Sequence, residues 1–298
     1  MRFMMIVKSN AKSEAGVLPD EKVLSAMGQY NDELVKANVM LAGEGLQASS
    51  KGARVRISGK NVTVTDGPFA ETKELVAGFW IIEAKSKQEA IDWAKRVPGT
   101  EGEIELRQIF ELSDFPVDPQ ETADGWRGKE QRFRDAANPR AESPAAPQRK
   151  PGTTRFMIIH KANKASEAGA LPGERDLRAM GALIEEQIQA GALLAAEGLQ
   201  ASSKGARVRA VGRERIVVDG PFTETKELIA GYSIIQVKSK EEAIAFAKRC
   251  AQVRPDGVTE VEIEVRQVFE LTDFPIDPAE KNDGWRQKEQ EFRGRAGQ

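Results

Sequence analysis

The chain has 298 residues, enough for two domains with their own cores, and its 40% hydrophobic and 30% charged content is ordinary for a globular protein. Its 44 Lys and Arg nearly balance 46 Asp and Glu, so the overall basic footprint of a nucleic-acid binder is missing. One cysteine, Cys250, and one histidine, His160, exclude an intramolecular disulfide, a Cys-rich or His-based metal centre, and a His-dependent catalytic pair in each half.

In chain order, Phe3–Lys8 is an apolar strand, too short for a signal peptide. Asn10–Leu18 is polar and predicts a loop. Pro19 opens a helix with Asp20 and Glu21 in its first turn, and Val23, Met27, Tyr30 and Leu34 recur at helical spacing. Asn38 stops it. Val39–Leu46 is a second strand. Ala53–Ile57 and Val62–Thr65 flank Ser58-Gly59-Lys60-Asn61 and predict a hairpin. The stretch Asp66-Gly67-Pro68-Phe69-Ala70-Glu71-Thr72-Lys73-Glu74 follows. Gly78–Ala84 is a third strand, Ser86 and Glu89 form a capping box for the next helix, and Glu103–Phe110 is the last strand. No stretch reaches the roughly 18 apolar residues of a membrane span. The expectation is a cytoplasmic protein with no cofactor, no metal, no membrane contact and no nucleic-acid partner.

The whole order then recurs. Arg2–Arg96 aligns with Arg155–Arg249 without a gap at an offset of 153, and Glu44–Arg56 is identical to Glu197–Arg209. An insertion around Cys250–Pro255 interrupts the second copy, and Cys250 reads as an inert thiol. The predicted organisation is one repeat over residues 1–134, a Pro- and Ala-rich linker over 135–153, and a second repeat over 154–298. Each repeat ends in a strap carrying Trp126 and Phe133, or Trp285 and Phe292. The order β-α-β, hairpin, β-α-β is that of a split-βαβ, ferredoxin-like α+β module, whose antiparallel sheet carries helices on one face. Two such modules bury their bare faces against each other, so a repeat–repeat pseudo-dimer within the chain is expected.

The Asp66–Glu74 stretch and its twin Asp219–Glu227 are the best site candidates. Asp66-Gly67 is a turn dipeptide, Pro68 fixes the exit of the chain, and Phe69 is an apolar anchor. One reading is a shaped turn with a solvated charge cluster. The other makes Asp66 and Asp219 acid/base residues, with Glu71, Lys73, Glu224 and Lys226 lining a pocket. Glu44 and Arg54, with Glu197 and Arg207, are further ligand-binding candidates. The small-residue loop between them could hold an anion.

The duplicated Asp-Gly-Pro-Phe-(Ala/Thr)-Glu-Thr-Lys-Glu resembles the signature of the DGPF branch of the YCII-related family. The resemblance covers about Arg2–Phe110 and Arg155–Phe269. It implies a dimeric α+β barrel. Some relatives are thought to use a His-Asp pair in the barrel cleft, and DGPF-type proteins are suspected regulatory partners of extracytoplasmic-function sigma factors. This chain departs from the His-Asp pattern: its first repeat has Val7 where the second has His160. The resulting expectation is a protein that binds a small polar ligand or a regulatory partner, a sigma factor among them. The alternatives are a lyase- or hydrolase-type enzyme using Asp66 or Asp219, and a pseudo-dimer that assembles further into a homo-oligomer.

Overall fold

A computed structural model describes residues 1–70, 75–115, 150–223, 227–254 and 258–274. The expected straps and most of the linker lie outside these residues. The first repeat folds as β1 (Arg2–Lys8), α1 (Ala11–Glu14), α2 (Glu21–Lys36), β2 (Met40–Gly45), β3 (Ala53–Ser58), β4 (Asn61–Asp66), β5 (Val76–Glu83), α3 (Lys87–Lys95) and β6 (Glu101–Gln108). The second follows the same order with β7 (Thr154–Lys161), α4 (Lys164–Glu167), α5 (Glu174–Gln189), β8 (Leu193–Gly198), β9 (Ala206–Val211), β10 (Glu214–Asp219), β11 (Ile229–Val237), α6 (Lys240–Gln252) and β12 (Glu260–Gln267).

Local chemistry explains the element ends. Asp20 caps α2 by accepting from the Val23 N–H. Asn38 and Gly191 end the long helices in the left-handed region, at φ 59° and 58°. The segment after β1, expected as a loop, contains α1. Asn10 nucleates it by accepting from the Lys12 and Ser13 N–H groups. This short turn matters because it delivers Glu14 to the site described below. The insertion of the second repeat extends α6 past the end of α3. That places Cys250 in the core, where burial pushes its thiol up to about 12.

The chain forms two six-stranded antiparallel sheets, in the orders β10-β9-β6-β1-β5-β2 and β4-β3-β12-β7-β11-β8. Each repeat therefore donates its hairpin to the other repeat's sheet. Hairpin β3–β4 pairs with β12, and β9–β10 pairs with β6. Charge sets the register. Arg54 and Arg56 lie opposite Glu264 and Glu262, while Arg207 and Arg209 lie opposite Glu105 and Glu103. The other face of each hairpin is apolar. Val55 and Ile57 pack with Phe246 and Ala247 of α6, and Ala206 and Val208 pack with Ile91 and Ala94 of α3.

The inner faces of the two sheets bury a common core. Met4, Ile6, Phe79 and Ile81 meet Met157, Ile159, Tyr232 and Ile234, with the Phe79 and Tyr232 rings 5.3 Å apart. Each such side chain contributes about 1.5–3 kcal/mol when fully buried. This is the expected pseudo-dimer of α+β modules. The expected barrel is corrected: the sheets are not closed. Isolated bridges, Leu46 to Val268 and Ile109 to Leu199, link their ends, while the exchanged hairpins reach outward and leave β4 and β10 as sheet edges.

Candidate functional site: two composite charge clusters

The Asp-Gly-Pro-Phe stretch is a clamp on the neighbouring turn. A Cβ on Gly67 would lie 1.9 Å from the Ser49 carbonyl oxygen, so only glycine permits this approach. The Gly67 N–H donates to the Gly52 carbonyl, and the Phe69 N–H donates to Ser49 Oγ at 3.0 Å. The Phe69 ring then lies 4.2 Å from the Arg54 guanidinium carbon, within cation–π range. The second repeat repeats every contact. Gly220 approaches the Ser202 carbonyl equally closely, the Phe222 N–H donates to Ser202 Oγ, and Arg207 lies over the Phe222 ring.

The arginines held in this way enter two buried clusters on the inner faces of the sheets. In one, Arg54 Nε donates to Glu264 at 3.0 Å, with Lys161 3.8 Å from the same carboxylate. Arg266, fully buried, donates to Glu264 at 3.0 Å and to the Gln47 carbonyl at 2.7 Å. Glu14 receives Arg266 at 3.4 Å on one oxygen and the Ser49 N–H at 3.0 Å on the other. In the twin cluster, Glu105 receives Lys8 at 3.1 Å, Arg207 at 3.0 Å and Arg107 at 3.3 Å. Arg107 donates to Glu167 and to the Gln200 carbonyl, and Glu167 accepts the Ser202 N–H. Arg207 also reaches Glu227, whose carbonyl accepts from Lys8.

Each cluster is composite. Lys161, Glu264 and Arg266 belong to the second repeat; Arg54, Glu14, Gln47 and Phe69 belong to the first. Burial by itself raises the Glu264 carboxyl, but Lys161, Arg266 and Arg54 outweigh it and hold the group below the usual carboxylate range. Glu105 behaves alike under Lys8, Arg107 and Arg207. Both glutamates are therefore anions at neutral pH. In each cluster three cations meet two carboxylates, and further carboxylates complete the balance: Glu262 lies 3.8 Å from Arg54, and Glu103 and Glu227 lie 3.5 Å and 3.2 Å from Arg207.

The residues expected to share one pocket are divided. Arg54 and Arg207 sit in the clusters. Asp66 pairs in register with Ala53, on the opposite face of the hairpin from Arg54. It is exposed and bound to Lys240 Nζ at 2.7 Å; Asp219 is bound to Lys87 Nζ at 2.6 Å. Glu44 and Glu197 join a different network. Arg155 pairs with Glu44 and Glu270, and Arg2 pairs with Glu197 and Glu111, stitching one repeat to the other. These carboxylates raise the pKa of both guanidinium groups against the lowering effect of burial. Glu71, Lys73, Glu224 and Lys226 lie outside the described residues.

His160 faces the helical layer. It follows Phe156 and Ile158 on the side of β7 that packs against α6, and it lies opposite Ile263. Burial lowers its pKa to about 4, so the ring is neutral near pH 7. Among the described residues no group of three or more His, Cys, Asp and Glu side chains could hold a metal ion, and no helix is long and apolar enough to cross a membrane.

Lys8, Glu14, Glu105, Arg107 and their twins were not among the sequence candidates. The signal for Glu105 was present in the alternation Glu101-x-Glu103-x-Glu105 facing Arg-Val-Arg, whereas Glu14 came from a segment expected as a loop. The lysines ended apolar strands without any such pattern.

A family model for the YCII-related domain matches residues 1–113 and again 154–267. An uncharacterised protein of Rhizobium meliloti (strain 1021) is 35% identical over 82 residues, a match spanning 28% of this chain and 66% of that protein. The two matched segments coincide with the two structural repeats and cover most of the sequence, and the chain belongs to the YCII-related domain family as a tandem duplication.

Proposed function

We propose that the protein is a binding module that takes a small anionic or zwitterionic ligand at each of its two composite charge clusters. One observation carries this reading: the same set of buried and half-buried charges, Lys, Arg, Arg, Glu and Glu, stands at both ends of the pseudo-dimer. Buried charge is costly, and an all-apolar replacement is often as stable or more so, which favours a role beyond packing. In the ligand complex Lys161 and Arg54, or Lys8 and Arg207, hold the anionic group. The rim carboxylates Glu262 and Glu103 suit an ammonium on the same ligand. The Phe69 and Phe222 loops lead to the segments carrying Lys73 and Lys226, which stay part of this proposal. A regulatory partner of the sigma-factor type would read the liganded state.

The acid/base reading of Asp66 and Asp219 has less support, because both side chains are solvent-exposed, lysine-paired and turned away from Arg54 and Arg207. The test is thermal denaturation with phosphate, dicarboxylates and α-amino acids. A ligand that raises the melting temperature of the wild type should lose its effect in the Lys8→Met/Lys161→Met double variant. A panel that gives no shift, or a shift the double variant retains, removes the assignment.

A further inference from the structure

The outer edge of β10 carries a self-complementary pattern, and we infer that two copies of this chain pair edge to edge through it. Strand β10 is outermost in its sheet and is largely exposed. The two-residue turn Gly212–Arg213, with Gly212 at φ 59°, makes Val211 and Glu214 the closing hydrogen-bonded pair of the hairpin. The alternation of an antiparallel ladder then points the backbone groups of Glu214, Ile216 and Val218 toward β9. Those of Arg215, Val217 and Asp219 point outward, where no described strand meets them.

The side chains make this edge unlike its twin. Val211, Ile216 and Val218 are 50%, 46% and 53% exposed and share one face of the hairpin. Their counterparts on the first repeat are Ser58, Thr63 and Thr65. An exposed edge strand is a template for strand addition; the charged side chains of β10, Arg215 and Asp219, lie on the opposite, helix-facing side with Val217.

A twofold axis through Val217 gives the pairing. Val217 meets Val217 of the second copy, Ile216 meets Val218, and Arg215 meets Asp219. All three outward-pointing residues fall at hydrogen-bonded positions, both exposed apolar side chains find apolar partners across the strand, and opposite charges face each other at both ends. Within its own chain Asp219 is bound to Lys87, and Arg215 donates to the Lys95 and Gly99 carbonyls at 3.2 and 2.7 Å, so the contact across the axis is shared with these partners. The same operation on β4, centred on Val64, places Val62 against Asp66 and gives no charge match. Strand β4 also exposes Val62 and Val64, but on the opposite face from the apolar patch of β10. The occupant of the β10 edge is thus another β10, which closes as a dimer and continues the six-stranded sheet across the axis.

Light scattering and sedimentation of the full chain test this. The expected mass is twice the 32.7 kDa of one chain. Ile216→Lys and Val218→Lys should each weaken the dimer at least tenfold, whereas Thr63→Lys on β4 should leave it intact. Circular dichroism identifies any variant that fails to fold, and having two edge variants keeps the test decisive. Arg215→Asp should also weaken the dimer, and adding Asp219→Arg should restore it. A monomeric wild type, a dimer that survives both edge variants, or a series of masses growing beyond two chains would overturn the proposal.

Discussion

His160→Val isolates one buried ionisable group at a position where the other repeat already carries the replacement, Val7, on the same helix-facing side of the sheet. The folded-state pKa of His160 is pushed down by burial to about 4, from 6.5. Between these values the folded protein keeps the ring neutral while the unfolded chain takes up a proton. The histidine's contribution is therefore complete above pH 6.5, falls as the pH drops, and flattens below about 4. At about 1.36 kcal/mol per pKa unit, the loss relative to neutral pH is about 1.4 kcal/mol at pH 5.5 and about 2.6 kcal/mol at pH 4.5. The ring is only partly buried by surface area, which makes these upper values. Urea titrations of wild type and His160→Val at pH 7.5, 5.5 and 4.5 measure the difference directly, and all other titrating groups cancel in it. The variant should gain on the wild type by these amounts as the pH falls. Parallel pH dependence in the two proteins would refute the burial of a neutral histidine, and would return His160 to the set of groups available for proton transfer.

Two further outcomes follow from the contacts. Gly67→Ala should destabilise the protein by about 1–3 kcal/mol in denaturant titration, because its methyl group would meet the Ser49 carbonyl of a fixed turn rather than a mobile side-chain tip; wild-type stability would show that the turn can shift. Residues 1–134 and 135–298 co-expressed as separate chains should co-purify as one complex, because each hairpin is built into the other repeat's sheet; their recovery as independent folded halves would contradict the exchange.

The architecture was legible wherever the signal was local. The repeat, the element order, the hairpin turns and the stop at Asn38 follow from periodicity and turn chemistry, and they recur in the structure with shifts of a residue or two. The hairpin exchange was not legible, and the reason is specific. Arg54-Val55-Arg56 and Arg207-Val208-Arg209 sit in identical thirteen-residue runs, and both glutamate-bearing strands present the same alternation. Nothing in the charge pattern tells a hairpin whether to pair with its own last strand or its twin's. The position of Asp66 was hidden for a related reason. Strand alternation separates it from Arg54, twelve residues earlier, but which face carries the helices is set by packing that the pattern alone does not specify.

The exchange changes what the Asp-Gly-Pro-Phe stretch means. In a self-contained repeat it would border a pocket of its own domain. Here each copy clamps its own Ser49 or Ser202 turn through Gly67 and Phe69 or Gly220 and Phe222, and its Phe ring backs the arginine that pairs with a glutamate on the other repeat's last strand. Neither cluster can form from one repeat alone. Any ligand held at Arg54, Lys161 and Glu264 would therefore bind across the repeat boundary and stabilise the pairing itself, by an amount set by the ratio of free ligand to its dissociation constant. Under the proposed function that linkage is the output, because occupancy of a cluster becomes tightness of the two-repeat assembly.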